Sequence, residues 1–411
     1  MHIWTRARES NGGKHCRYKH MDEVRSSLAE SFSLAHGGLV DRLWARLGRL
    51  ARTPAQVMRR ALFATVVTWV PLLILSQVED LAFGTAVTVT FLRDFAVNAR
   101  FLVALPILIL AEPTIDRWWR TLVLEFPRSG LISHAELGSF EAVIERITRL
   151  RDRLLPDAAL LVAALAPSFL IKTELLMTGA SNWHVLGGEL SLAGWWFDLV
   201  STPFFRFLLL RWAWRMCLWT LFMWRVSRIK LHLAPAHTDL AAGLGFLSEG
   251  QRAFDSIVFA GGVVVAGQVV NAIAYEGATL SSVQFIMLAY ALLAMTFLVA
   301  PLLVVAPVLW KVKKKACLEF GALVTQHDQL FDAKWIRGQR SPEDVILGNA
   351  DASSLADLGA AFTVVKQMRI VPIDKPTLIS LTVAAGLPMV PVVLFATPAN
   401  ELIGAVLKML A

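Results

Sequence analysis

The sequence predicts an all-α fold, a polytopic transmembrane helical bundle of about seven spans with the N-terminus inside and helical cytoplasmic segments. Three observations lead there. Of 411 residues, 56% are hydrophobic and 18% charged, with a mean hydropathy of +0.55, where a water-soluble chain has roughly 45–50% apolar and about 25% charged residues. Seven apolar runs approach the ~20 residues that a helix needs to cross the hydrocarbon layer. Between these runs, Lys and Arg alternate between abundant and scarce. A single soluble globule, a disordered chain and a collagen-like repeat are excluded, and three cysteines, Cys16, Cys217 and Cys317, are too few to staple a fold of this size.

The chain opens with a basic segment, 1–60. Residues 1–20 are polar and patternless, whereas Met21 opens a helical pattern over 22–34, so Met21 is an alternative start. The first apolar run begins only at Ala61, and no cleavable secretory signal is expected. Spans are expected at 61–77, 99–111 (with the amphipathic stretch 90–98 lending its first turns), 157–177, 197–224, 253–275, 283–310 and 377–397. Pro388 and Pro391 could bend the last into a re-entrant hairpin.

Basic residues near span ends stay on the cytoplasmic side. Arg46, Arg49, Arg52, Arg59 and Arg60 precede the first span, while 78–98 offers only Arg93. Arg117, Arg120, Arg128, Arg146, Arg149, Arg151 and Arg153 follow the second, and 178–196 has neither Lys nor Arg. Arg225, Arg228, Lys230 and Arg252 follow the fourth, 276–282 has none, and Lys311, Lys313, Lys314 and Lys315 follow the sixth. Every loop therefore places the N-terminus inside and the C-terminus outside, in the cytoplasmic membrane of a bacterium. Trp118, Trp119, Trp183, Trp195, Trp196, Trp224 and Trp310 fall at expected span ends, as interface anchors do. The net charge of +8 fits inside loops facing anionic headgroups, and no nucleic-acid partner is expected.

The segments outside lipid are 1–60, 112–156, 225–252 and 311–376. Residues 133–154 form an amphipathic helix with Phe140, Val143, Ile144, Ile147, Leu150 and Leu154 on one face. Within 311–376 a helix over 311–335 is followed by a turn-rich loop, 337–342, and a helix over 353–368.

The loop after the fourth span reads His237-Thr238-Asp239-Leu240-Ala241-Ala242-Gly243-Leu244-Gly245-Phe246-Leu247. Gly243 and Gly245 ahead of a helix can offer backbone N–H groups to an anion, and His237 with Asp239 can orient a ligand or exchange a proton. The alternative is an Asx-type turn in which Asp239 accepts backbone N–H bonds. This box is similar to the HPDxxGGLGFL segment of a family of uncharacterised bacterial polytopic membrane proteins. Met368-Arg369-Ile370-Val371-Pro372 resembles a second shared segment, and the likeness runs from about Arg211 to the end of the sequence. Thr238 and Ala242 stand where the family has Pro and Gly. The resemblance implies that His237, Asp239, Gly243 and Gly245 act as one unit, and it transfers no activity.

Ionisable groups within lipid are expensive and point to function. Arg206, Arg211 and Arg215 lie in the fourth span; Arg206 and Arg211 call for a carboxylate, a polar cavity or an anionic ligand, with Asp94, Asp198, Glu174 and Glu112 as candidate partners, whereas Arg215 can snorkel. In the fifth span Gln268 and Asn271 share a side, either hydrogen-bonding between helices or lining a conduit with Arg206, and Gly261, Gly262 and Gly267 permit close helix approach. His232, His237, Asp239, His327 and Asp328 lack metal-binding spacing, as do His15, Cys16 and His20, so no metal or cofactor is expected. The preferred reading is a transport-like or ligand-gated role with a small anion or lipid headgroup as ligand, His237, Asp239, Gly243, Gly245, Arg206, Arg211, Gln268 and Asn271 being the ligand-binding candidates. A regulatory scaffold binding a cytoplasmic protein or a second copy of the chain is the alternative. An intramembrane enzyme using His237, Asp239 and His327 on lipid-linked substrates ranks third.

Overall fold

The described residues of this computed structural model are 32–34, 37, 53–85, 87–170, 181–186, 188–339 and 350–396. Residues 22–31 of the expected first helix, His15, Cys16, His20, Arg46, Arg49 and Arg52 lie outside them, as do 171–177 with Glu174, Ser341, Pro342 and residue 397. Residues 32–34 are not helical. They tuck Phe32 and Leu34 into the core, where Ser33 Oγ and the Leu34 N–H donate to Asp116 Oδ1 at 2.7 and 3.0 Å.

Of the described residues 79% are helical, and the one sheet among them is a hairpin, β1 (Val185–Leu186) paired antiparallel with β2 (Glu189–Leu190). Among the described residues five helices are long and apolar enough to cross a membrane by length and composition: α1 (Pro54–Val78), α2 (Phe95–Arg128), α6 (Phe246–Tyr275), α7 (Leu280–Leu303) and α10 (Lys375–Ala396). Between them lie α3 (Leu137–Arg151), the shorter apolar helix α4 (Leu154–Leu170), and α5, which runs from Leu192–Trp196 through a π turn, Phe197–Ser201, into Thr202–Val226. Beyond α7 come α8 (Ala306–Phe331) and α9 (Ala350–Gln367).

Several boundaries differ from the expected spans for identifiable reasons. The second expected span continues through Pro113 to Arg128, where Glu112 and Asp116 are bonded inside the bundle by Arg215 and Ser33. The sixth is broken at Val304 and Val305, where Pro307 restarts the helix from its first turn. In α10 the strain of Pro388 is absorbed by a 3₁₀ turn, Leu387–Met389. The fourth expected span is helical, but with Arg206, Arg211 and Arg215 it is not among the five helices long and apolar enough to cross.

Local chemistry fixes the helix starts. Thr53 and Gln56 form a capping box ahead of Pro54, while Asp94, Ser191 and Asp374 each accept a first-turn N–H. Pro71 within α1 cannot donate to the carbonyl four residues earlier, and Trp196 Nε1 donates to that freed Val67 oxygen at 3.2 Å, with Ser201 Oγ donating to Thr68 O at 2.7 Å. The proline defect of α1 is thus satisfied by α5, as burial in lipid demands.

Helix α5 lies at the centre, packed against α3, α4 and α7, while α6 packs on α2, α7 and α10, and α1 on α2. Close approach needs glycine at two places: a Cβ on Gly262 would meet Pro388 at 2.9 Å, and one on Gly267 would meet Ala99 Cβ and Phe95 O at 2.9 Å. The aromatic core runs from Trp119, with Trp212, Trp219 and Phe254 around it, to Phe126, Phe140 and Phe222. Trp119 and Trp183 are therefore core residues rather than interface anchors, whereas Trp118, Trp195, Trp224 and Trp310 are exposed.

Candidate functional site

Two charged layers occupy the interior of the bundle, and a loop joint closes one end. At the first layer α2 and α5 both pass through π turns, Ala99–Ala104 and Phe197–Ser201, just before Pro106 and Pro203. Each π turn widens the helix ahead of a residue that lacks an N–H. The two turns face each other, with the rings of Phe101 and Phe197 6.2 Å apart. Arg100 emerges from the α2 turn and lies over the face of Phe205 at 5.8 Å. Its Nε is buried with no hydrogen-bond partner, and no described carboxylate pairs with it. Asp94 and Arg206 are the charged groups close enough to act on it electrostatically. Arg206 donates only to Ser168 Oγ, at 3.3 Å, so two cationic guanidiniums share this layer with neutral partners.

Asp94, a candidate partner of these arginines, is engaged elsewhere. Its Oδ2 accepts from Trp183 Nε1 at 3.0 Å, its Oδ1 accepts from Asn271 Nδ2 at 2.8 Å and from the Val97 N–H at 3.1 Å, and His184 Nε2 lies 3.8 Å away. Asn271 Oδ1 accepts the Phe95 N–H at 2.9 Å, so this residue ties α6 to the start of α2. Gln268, one turn earlier, is exposed and has no hydrogen bond to the described residues. The conduit expected from Gln268, Asn271 and Arg206 is therefore not assembled: Asn271 serves the interhelical bond, Gln268 faces outward and Arg206 faces α4.

The second layer centres on Glu112, which is buried in α2. Arg215 Nη1 donates to its Oε1 at 2.9 Å, Arg60 pairs with Oε2 at 3.6 Å, and Arg211 adds its charge. Arg215 does not snorkel; it is 3% exposed and also packs over the Trp212 ring at 4.8 Å. Arg211 thus finds the carboxylate environment expected of it, but in a cluster of three guanidiniums around one carboxylate.

The 237–247 box closes one end of α6. Positive φ at Leu240, Ala242 and Gly243 turns successive N–H groups inward into an anion-accepting nest. The anion in it is the chain's own Asp239: Oδ1 accepts from Ala241 and Gly243 at 2.8 and 3.2 Å, and Oδ2 accepts from Gly245 at 2.8 Å. Burial pushes the Asp239 carboxyl up, but these N–H bonds outweigh it and hold the group below the usual carboxylate range. His237 Nδ1 stands 2.9 Å from Oδ1 and 3.3 Å from the Asp239 backbone nitrogen. A Cβ on Gly245 would strike Asp239 at 2.8 Å, which is why glycine is needed there. The Asx-turn alternative is the one that forms, and the N–H groups of Gly243 and Gly245 are already taken.

The second sequence segment docks on this box. Arg369 donates its N–H to Leu240 O at 2.6 Å, Nη2 to Asp239 O at 2.8 Å and Nη1 to Ile373 O at 2.7 Å. Ser248 then bridges to Asp374, donating from Oγ at 2.7 Å and accepting its N–H at 2.8 Å. Burial raises the Asp374 carboxyl, and hydrogen bonds from Thr377 and Ser248 with the charge of Arg252 bring it below its ordinary value. His327 bonds Ser354 between α8 and α9 instead of joining His237. Among the described residues no group of three or more His, Cys, Asp and Glu is arranged to hold a metal.

Arg100 carries more of this chemistry than the sequence reading assigned. Arg100 was not among the candidates, and the π turn at Ala99–Ala104 carries its side chain over the Phe205 ring. No protein-family model, curated protein or solved structure matches the chain.

Proposed function

We propose that this protein is a multi-pass protein of a bacterial cytoplasmic membrane with a transport-like role on a small anion, passing it through the arginine layers between α2 and α5. The observation that carries this reading is the Arg100 guanidinium, inside the helical bundle with a buried Nε that nothing satisfies and with Arg206 as its cationic neighbour. A buried donor left without an acceptor costs about 1–3 kcal/mol, more on a charged group, and an anion bound between the two side chains would supply that acceptor. The Glu112 cluster gathers Arg60, Arg211 and Arg215 at a second charged layer further along α2 and α5. Seven spans with the N-terminus inside accord with the positions of Lys and Arg along the chain. The box at 237–247, held by Asp239 and Arg369, then serves as a joint transmitting motion between α6 and α10, in the place of a binding loop.

The test is anion efflux from proteoliposomes containing the purified protein. Chloride, sulfate and phosphate are compared, each with wild type, Arg100→Met and Arg206→Met. Loss of flux of one anion in both variants, with retained folding, supports the reading; no flux above empty liposomes for any of the three counts against it.

A second reading, a scaffold for a cytoplasmic protein or a second copy of the chain, is favoured by α8, which exposes Leu318, Leu323 and Leu330, with Ile336 just beyond its end. A stably co-purifying protein, together with unchanged function of Arg206→Leu combined with Arg211→Leu, would favour it.

A further inference from the structure

We propose that α3, α4 and α5 form a binding site for one anionic phospholipid, independent of the arginine layers. A cleft of about 370 Å³ between α3 and α5 is lined by Arg146, Arg149, Arg153 and Arg225 with Leu150 and Leu221. It adjoins a groove of similar volume, lined by Leu155, Pro156, Ala159, Leu160 and Trp214 and sharing Leu150 and Arg153 with the first. One is cationic, the other apolar, and they are continuous. That is the shape and polarity of a phosphate headgroup followed by an acyl chain.

The charges are available. Arg146 and Arg153 make no hydrogen bond or ion pair with the described residues. Arg225 has a buried Nε without a hydrogen-bond partner and rests against the Trp224 ring at 5.8 Å. Arg149 meets Glu145 at 3.6 Å, but both side chains are more than 70% exposed, so water screens that pair and it yields readily to a phosphate. The nearest acid along the chain, Asp152, is bonded to Arg151 at 2.7 Å. Four guanidiniums therefore converge with little local compensation where the start of α4 meets the end of α5, the level of the headgroups if those helices span the membrane. Arginine is suited to the task, since its planar fork takes two phosphate oxygens at once. Beside it, Trp214, Leu155, Leu160 and Ala159 offer a hydrocarbon chain a surface that water would otherwise cover.

The experiment is native mass spectrometry of the full chain in detergent, titrated separately with dioleoylphosphatidylglycerol, dioleoylphosphatidylcholine and inorganic phosphate. Wild type is expected to retain one phosphatidylglycerol in preference to phosphatidylcholine. The triple variant Arg146→Gln, Arg153→Gln, Arg225→Gln should bind it about a hundredfold more weakly, at roughly fivefold per basic side chain. Ala159→Phe, which fills the groove and leaves every charge in place, should weaken phosphatidylglycerol without altering any weak association of phosphate. Should the triple variant fail to fold, Arg146→Gln alone, at an exposed rim position, must still give a several-fold loss. Equal retention of the two lipids, full retention by the arginine variants, or competition by phosphate with no effect of Ala159→Phe would each overturn the proposal.

Discussion

Replacing Glu112 with glutamine removes the carboxylate that Arg60 and Arg215 pair with and that Arg211 faces, while keeping the shape of the side chain. At the 2.9 Å separation from Arg215 the Coulomb attraction is about 6 kcal/mol, and at the 3.6 Å separation from Arg60 about 5 kcal/mol, taking an effective dielectric constant of ~20. Most of this offsets the cost of stripping water from the ions. The variant, however, keeps the cations and loses the compensation, so its net destabilisation is about 3–5 kcal/mol. At ~2 °C per kcal/mol for a large chain, Tm falls by about 6–10 °C. The assay is thermal unfolding in detergent followed by tryptophan fluorescence, since Trp212 stacks on Arg215 within the cluster. Combining Glu112→Gln with Arg215→Met completes a double-mutant cycle, and the pair should show a coupling of about 1–3 kcal/mol. A Glu112→Gln protein within about 0.5 kcal/mol of wild type, the scatter of ordinary surface substitutions, would refute the reasoning, because no buried charge would then have been left uncompensated.

Other consequences concern the loop joint. Asp239→Ala leaves the Ala241, Gly243 and Gly245 N–H groups without their acceptor and should cost about 2–4 kcal/mol, read as faster amide exchange at those three positions with the α1 amides unchanged. Gly245→Ala should reproduce much of that loss, because its Cβ would meet the Asp239 side chain at 2.8 Å. The carboxyls of Asp239 and Asp374 both titrate below their unfolded values. Their contribution is therefore complete above about pH 4 and lost as pH falls through the lower, folded values. Tm measured from pH 7 to pH 3 should drop at the acid end, and the drop should be smaller in an Asp239→Asn, Asp374→Asn double variant.

The helical architecture was legible because lipid and backbone impose it: long apolar runs between polar breaks have few alternatives to helix. Ends were less legible. Whether the second span stopped at Ala111 depended on Glu112 and Asp116; Glu112 was a candidate partner of the fourth-span arginines, but only the fold shows Arg215 and Ser33, about 80 to 100 residues away, bonding the two carboxylates. The 237–247 box was visible as a unit from its glycines and Asp239. Its internal closure was not, since the same residues describe either an empty anion nest or one filled by its own carboxylate, and only the left-handed backbone at Leu240 and Ala242 decides. Arg369 was noted for its sequence context, but its three bonds across the joint are a product of tertiary packing. Arg100 stayed hidden for a related reason, because a π turn is a one-residue register change with no compositional mark.

The account turns on helices threaded through a bilayer, and cysteine accessibility on either side tests it most directly. In a cysteine-free background, Ser181→Cys beside Trp183 and Lys230→Cys between α5 and the box, both exposed positions, are treated on bacterial spheroplasts with a membrane-impermeant thiol reagent. Labelling of Ser181→Cys in intact spheroplasts, with Lys230→Cys reacting only after permeabilisation, is the predicted result. Reaction of both from the same side would contradict it.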